Sequence, residues 1–262
     1  PDAPCATLDY AIGLCTASVG DVILVGPGHN EGMGDAQIAV DVAGISIIGL
    51  GHGSLVPRID FDHANASIDI SANGCTLKNL RLLPSATAVL IGIDIASGVT
   101  DTVLDGIETL PGEDGAGVDE FASHVVLKAG NSRTVIENCK FVAQASAAGS
   151  LNAILLDDAS DDVVIRNCHI KLEGAGLVAG VNGDTTLSTN VLIANCTFIM
   201  DAEPGIEVLT GTTGIIRDCD IFSNLATIAA ATVADGMAHF RVRYVEVGNE
   251  SDAVVKTASI DD

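Results

Sequence analysis

The 262-residue sequence predicts an all-β fold: a single-stranded parallel β-helix (solenoid) of about eight rungs with a short N-terminal capping helix. Three observations predict it. A seven-residue pattern recurs along the chain at near-constant spacing. One position of that pattern holds only Gly, Asn or Asp. The positions around it alternate with the period of a strand.

The pattern is clearest in four segments. They are Val135-Ile136-Glu137-Asn138-Cys139-Lys140-Phe141, Val164-Ile165-Arg166-Asn167-Cys168-His169-Ile170, Leu192-Ile193-Ala194-Asn195-Cys196-Thr197-Phe198 and Ile215-Ile216-Arg217-Asp218-Cys219-Asp220-Ile221. Fainter copies stand upstream around Leu50, Leu80 and Ile107. Equivalent positions 50, 80, 107, 139, 168, 196 and 219 are 30, 27, 32, 29, 28 and 23 residues apart. Each copy follows a second short strand, such as Ala39–Val42, Ser67–Ile70, Gly92–Ile95, Val125–Lys128 or Ala153–Leu156. A unit this short, with no helical period, cannot hold a βαβ crossover but suits one rung of a β-helix.

Gly49, Asn79, Gly106, Asn138, Asn167, Asn195 and Asp218 fill the corner before the cysteine position. Gly, Asn and Asp best tolerate left-handed backbone, which a sharp corner between two sheets requires. Stacked Asn79, Asn138, Asn167 and Asn195 are expected to bond from rung to rung as a buried amide ladder. Parity then points Ile136, Ile165, Ile193 and Ile216 inward before the corner. Cys139, Cys168, Cys196 and Cys219 point inward after it, as a stack of core thiols. No C-x-x-C occurs, which argues against zinc. Cys5 and Cys15 lie outside the repeat and pair only in an oxidising medium.

The boundaries read as a capping segment at 1–20, a β-helix at 21–247 and a C-terminal arm at 248–262. Thr7 to Thr16 is the expected helix, with Thr7 as N-cap. Met237 to Val247 alternates and is expected to close the last rung. The sequence opens at Pro1 without Met and reads as the ordered or processed part of a longer protein.

Twelve Lys and Arg against 35 Asp and Glu leave a net charge of −23, which argues against nucleic acid and anionic membranes as partners. No apolar run reaches the ~18 residues of a membrane span. Aromatics are 3% with no Trp, a poor supply of platforms for sugar rings.

Two acidic groups draw notice. Asp157, Asp158, Asp161 and Asp162, with Arg166 and His169 nearby in sequence, are the catalytic candidates if the chain cleaves polysaccharide. The plainer account is a turn, where Asp is common. Asp41, Asp69 and Asp94 are expected as an outward stack at ~4.8 Å spacing. Such a stack is solvated, shares protons, meets a partner's cations or holds Ca²⁺. No other metal or cofactor is expected. His29, His52 and His63 read as solvated loop residues. Phe121, residues 143–148, residues 225–231 and Val233 are apolar positions in loops expected to face a protein partner.

The opening Pro4-Cys5-Ala6-Thr7-Leu8-Asp9-Tyr10-Ala11-Ile12, then Gly20-Asp21-Val22-Ile23-Leu24-Val25-Gly26-Pro27-Gly28-His29-Asn30-Glu31, resembles the start of the pectin-lyase-like right-handed parallel β-helix family. Ile45-Ser46-Ile47-Ile48-Gly49-Leu50-Gly51 resembles its second rung. The resemblance implies a right-handed helix across nearly the whole chain. The Ala- and Asp-rich, aromatic-poor mix most resembles β-helix proteins of bacteriophage particles: capsid-decorating, head-fibre or tail proteins. That implies a non-enzymatic structural protein of the virion, either self-associating as a homo-oligomer or bound to other virion proteins. The family equally implies, as alternatives, a polysaccharide lyase or hydrolase, or an adhesin for a surface glycan.

Overall fold

The structure is a computed structural model describing residues 4–223, except residues 36, 113–118, 145–149, 175, 184, 202 and 210. Beyond 223 it describes the strands Val233–Ala234, Phe240–Val242, Val245–Gly248 and Lys256–Thr257. The chain winds through three sheets of nine, ten and eight strands. The first runs from Val22–Val25 to Phe240–Val242, the second from Asn30–Gly32 to Lys256–Thr257, and the third from Gln37–Val40 to Val233–Ala234. Each strand pairs in parallel with its equivalent one coil away, so the sequence repeat is also the hydrogen-bonding repeat. The exception is Lys256–Thr257, which pairs antiparallel with Val245–Gly248. The rest of the arm at 249–262 lies outside the described residues.

The corner between the first and second sheets is left-handed at Asn79, Gly106, Asn138, Asn167, Asn195 and Asp218, with φ between 53° and 67°. Their amides continue the ladder: Asn138 N–H donates to the Arg166 carbonyl at 3.1 Å and Asn167 N–H to that of Ala194 at 3.0 Å. Gly49 departs from the expectation because its φ is not positive. It is glycine for a different reason: a Cβ there would stand 1.9 Å from the Asn79 carbonyl oxygen.

The amide ladder also differs from expectation. Asn138, Asn167 and Asn195 are exposed rather than buried. Asn167 Nδ2 reaches Asn138 Oδ1 at 3.4 Å, while Asn138 Nδ2 donates to Asp105 and Asn79 Nδ2 to the carbonyls of Gly49 and Gly51. Corner side chains point away from the axis, so the backbone conformation rather than a dry ladder selects Asn. A second left-handed corner, between the third and first sheets, holds Asp101, Arg133, Asp162 and Asn190. Arg133 among them kept it from standing out in the sequence.

Inside, the expected parity holds. Ile136, Ile165, Ile193 and Ile216 are fully buried, and the four cysteines are 0–3% exposed. Each thiol points back at the carbonyl two residues earlier, from Cys139 on Glu137 at 3.2 Å to Cys219 on Arg217 at 3.3 Å. The fit explains a small, weakly donating side chain just past the corner. Hydrogen bonding within the stack and burial push the Cys168 and Cys196 thiols up to about 12, far from the reactive thiolate. Phe121, expected on the surface, is buried with its ring edge-on to Phe61 at 4.9 Å. Ala143 is buried as well, whereas residues 145–149 and 225–231 lie outside the described residues.

One polar thread crosses the core near Phe121 and Phe141. Val142 N–H donates to Thr109 Oγ1 (3.3 Å), and Thr109 Oγ1 meets His124 Nδ1 (2.6 Å). His124 Nε2 meets Ser150 Oγ (3.0 Å), whose hydroxyl donates to the Phe121 carbonyl (2.6 Å). Because Ser150 spends its proton on that carbonyl, His124 must donate from Nε2 and accept at Nδ1. Thr109, His124 and Ser150 are all completely buried.

The N-terminal helix is Leu8–Ile12, shorter than the expected Thr7 to Thr16, because Gly13 ends it. Thr7 caps it through Tyr10 N–H, and Leu8 and Ile12 bury into the first coil. Asp9 accepts a hydrogen bond from Ala39 N–H at 3.1 Å, covering the open edge of the third sheet.

Two predictions follow from this packing. Asn167→Leu places a β-region residue at a φ of 55° and should lower stability by roughly 1–2 kcal/mol, whereas Asn167→Gly should be nearly neutral. Chemical denaturation of both variants checks this, and equal losses would return the weight to the amide. Burial pushes the His124 imidazole down to about 3. The unfolded chain, with His near 6.5, binds that proton first, so the contribution is complete above pH 6.5 and falls as pH drops toward 3. At pH 5 it should have fallen by about 2 kcal/mol. Urea unfolding at pH 7 and pH 5 measures the slope, which His124→Gln should flatten because glutamine keeps both hydrogen bonds and takes up no proton.

Candidate functional site

The outward positions of the first two sheets carry most of the described cations. On the first sheet Lys78, Asp105, Glu137 and Arg166 stand in successive coils in exact register, followed by Ala194 and Arg217. On the second, past the Asn corner, Arg58, Arg81, Glu108, Lys140, His169 and Thr197 do the same. Register places several charges beside an opposite, although Asp105 also adjoins Glu137 and Arg58 adjoins Arg81. Lys78 meets Asp105 at 2.5 Å and Arg166 meets Glu137 at 2.5 Å. Glu108 lies between Arg81 at 2.6 Å and Lys140 at 3.0 Å.

These contacts set the carboxyls' protonation. Partial burial pushes Asp105 up, but hydrogen bonds from Asn138 and Lys78 outweigh it and hold the carboxyl below its usual range. Glu108 is likewise raised by burial and lowered further by Arg81 and Lys140. At the other corner, hydrogen bonds from Arg133 and Thr100 bring Asp101 down to about 2. Asp105 and Glu137 are direct register partners on adjacent rungs, a carboxylate pair that the repeat aligns, each standing one residue before its corner at Gly106 or Asn138. A general acid for glycoside cleavage must hold its proton near neutral pH. Asp105 and Glu108 are tuned the opposite way.

The sequence candidates do not assemble into one site. Asp157 pairs with Lys128 at 3.0 Å at the end of the third sheet, and Asp158 caps Ala159 N–H in the following turn. Asp161 sits at the next corner, accepting from Thr189 and Asn190, and Asp162 is the left-handed residue there. Arg166 stands outward on the first sheet and His169 on the second. A single coil thus spreads the six across all three sides of the rod. His29 pairs with Glu31 at 3.0 Å and His63 with Asp35 at 3.1 Å.

The expected aspartate stack is corrected as well. Asp69 and Asp94 are register partners, but the residue below Asp69 is Ala39, and Asp41 lies two positions farther along. The first strand of the third sheet is Gln37–Val40, two residues earlier than the sequence suggested. Burial pushes the Asp94 carboxyl up; Lys128 opposes the shift while Asp69 and Asp157 add to it. Asp69 accepts from Ser67 at 2.6 Å. Among the described residues no group of three or more His, Cys, Asp or Glu is close enough to hold a metal ion. No described helix is long and apolar enough to cross a membrane.

Comparison with known proteins agrees with the architecture. A family profile described as "Right handed beta helix region" matches residues 130–243. No curated protein matches the sequence. Among solved structures, the pectate lyase Pel9A superposes with a TM-score of 0.53 at 14% identity, over 97% of this chain and 74% of that one. An alginate lyase from Paenibacillus sp. str. FPU-7 gives 0.49 at 16% identity, over 89% of this chain and 95% of that one. The tailspike gp49 of Acinetobacter baumannii bacteriophage Fri1, a capsular polysaccharide depolymerase, gives 0.44 at 13%, over 90% and 50%. At these identities the likeness is one of fold. The chain folds as a right-handed parallel β-helix.

Proposed function

We propose that the chain is a non-enzymatic structural component of a bacteriophage particle, a rigid acidic β-helix carried as a capsid decoration, head fibre or tail protein. The observation supporting this most is the pairing on the outer faces. Arg58, Lys78, Arg81, Lys140, Arg166 and Lys171 each lie within ion-pair distance of a carboxylate of the same chain. These surfaces are matched to themselves, and Asp105 and Glu108 stay ionised where a glycosidase would need a protonated acid. Exposed pairs add little stability each, about 0–1 kcal/mol. On this reading the protein sits on the extracellular virion and its partners are other copies of itself or other virion proteins. Ca²⁺ could bridge the acidic faces, and no other cofactor is involved.

A second reading keeps one observation in its favour. Asp105 and Glu137 stand side by side with Lys78 and Arg166, the residue types that polysaccharide cleavage or glycan binding requires. Incubation with polygalacturonate, alginate and neutral polysaccharides separates the two. We expect no release of reducing or unsaturated ends from any of them. Replacing Asp157, Asp158, Asp161 and Asp162 together by Asn should leave function intact apart from local turn effects. Cleavage abolished by Asp105→Asn or Glu137→Gln would establish the second reading instead, and detection of the chain in purified virions by mass spectrometry would support the first.

A further inference from the structure

The N-terminal end of the rod is unevenly covered. The third sheet's edge is capped by Asp9, and the helix N-terminus is held by Glu31, whose two oxygens accept from Leu8 N–H at 3.2 and 2.9 Å. The first sheet's edge strand, Val22–Val25, pairs with Ser46–Gly49 on one side, and no described strand pairs with its other side. The carbonyls of Asp21 and Val25 accept from Ser46 and Leu50 in the next coil. Backbone groups alternate in direction along a parallel strand, so those of Val22 and Leu24 point off the open edge. The side chains of the same two residues are 54% and 61% exposed. Leu14, which lines the same groove, is more than half exposed too.

A groove of about 630 Å³ runs along this edge, with Val22–Val25 on one wall and Leu8, Ala11, Leu14 and the Pro4-Cys5 segment on the other. Asp21 is the carboxylate among its lining residues, and no Lys or Arg lines it. Residues 1–57 contain six Asp or Glu and no Lys or Arg, the first cation being Arg58. Open amides, exposed alternate apolar side chains and a lining carboxylate without a lining cation together describe an acceptor for one more strand.

We propose that this edge docks an extended, cationic segment of a protein partner, which adds a strand in front of Val22–Val25. The partner's backbone would bond Val22 and Leu24. Its alternate apolar side chains would enter the groove, and its Lys or Arg would face Asp21 and the acidic end. The proposal does not depend on the rod being carried by a particle.

An eight-residue peptide of alternating Lys and Val is the probe, titrated by calorimetry and followed by amide hydrogen exchange. Binding should slow exchange at Val22 and Leu24 and disappear when the peptide's alternate amides are N-methylated. Leu24→Glu adds negative charge at an exposed position. Plain electrostatic attraction would then strengthen binding, whereas strand docking should weaken it at least ~tenfold. No binding at millimolar peptide would overturn the proposal, as would binding that survives N-methylation or protection confined to other sheets. Self-association that Leu24→Glu abolishes would identify a second copy as the occupant and overturn it equally.

Discussion

Successive coils are tied by backbone hydrogen bonds in all three sheets, and that bonding leaves a residue little freedom to differ from the one ~4.8 Å above it. The corner shows the constraint most directly. From Asn79 onward each coil turns through a left-handed residue at the same place, and Asn138, Asn167, Asn195 and Asp218 share one φ within a few degrees. Close approach makes a different demand: at Gly49 and at Gly214 a Cβ would meet a neighbouring carbonyl at 1.9 Å. The same geometry stacks Ile136, Ile165, Ile193 and Ile216 into one dry column and lays the thiols beside it.

On the outside, stacking turns into an electrostatic problem. Like charges in one column repel at this spacing, and a neighbour of opposite sign relieves the strain. Lys78 over Asp105 and Glu137 over Arg166 do this on either side of the Asp105–Glu137 contact. Asp69 and Asp94 also stack, and there burial, with Asp69 adding to it, pushes the Asp94 carboxyl upward. The rod thus has two well-compensated sides and a third that keeps more of the chain's negative charge. The ion pairs hold Asp105 and Glu108 in their charged form. The interior polar thread through His124 belongs with the core: every group in it is spent on another, and none reaches solvent.

The ends are where repetition stops supplying partners. The chain covers the third sheet with an aspartate and the second sheet's far edge with an antiparallel strand, Lys256–Thr257. It leaves Val22 and Leu24 facing outward. Open sheet edges are surfaces that natural β-proteins normally blunt, and among the described residues this one has no strand in front of it.

The repeat, the corner and the inward parity were legible from residues alone because a strand has period two and few residues tolerate a left-handed φ. Those two local rules needed no knowledge of what lay nearby. Register was less legible. Asp41 looked equivalent to Asp69 because both stand between apolar residues, yet the strand starts at Gln37 and a two-residue offset preserves that same alternation. Phe121 and His124 lay beside a long, weakly patterned loop and read as surface or passed unnoticed. Only packing against Phe61 and Phe141, and the hydroxyls of Thr109 and Ser150, placed them in the core. The candidate site divides in the same way. Sequence proximity grouped Asp157 to His169, but one coil carries them around three sides of the rod, while Asp105 and Glu137, 32 residues apart but at one position of the repeat, are neighbours. Sequence by itself determined which way the side chains of the repeated strands face, since that depends on local backbone period. Tertiary structure alone decided which side chains meet, since that depends on the length of every loop between coils.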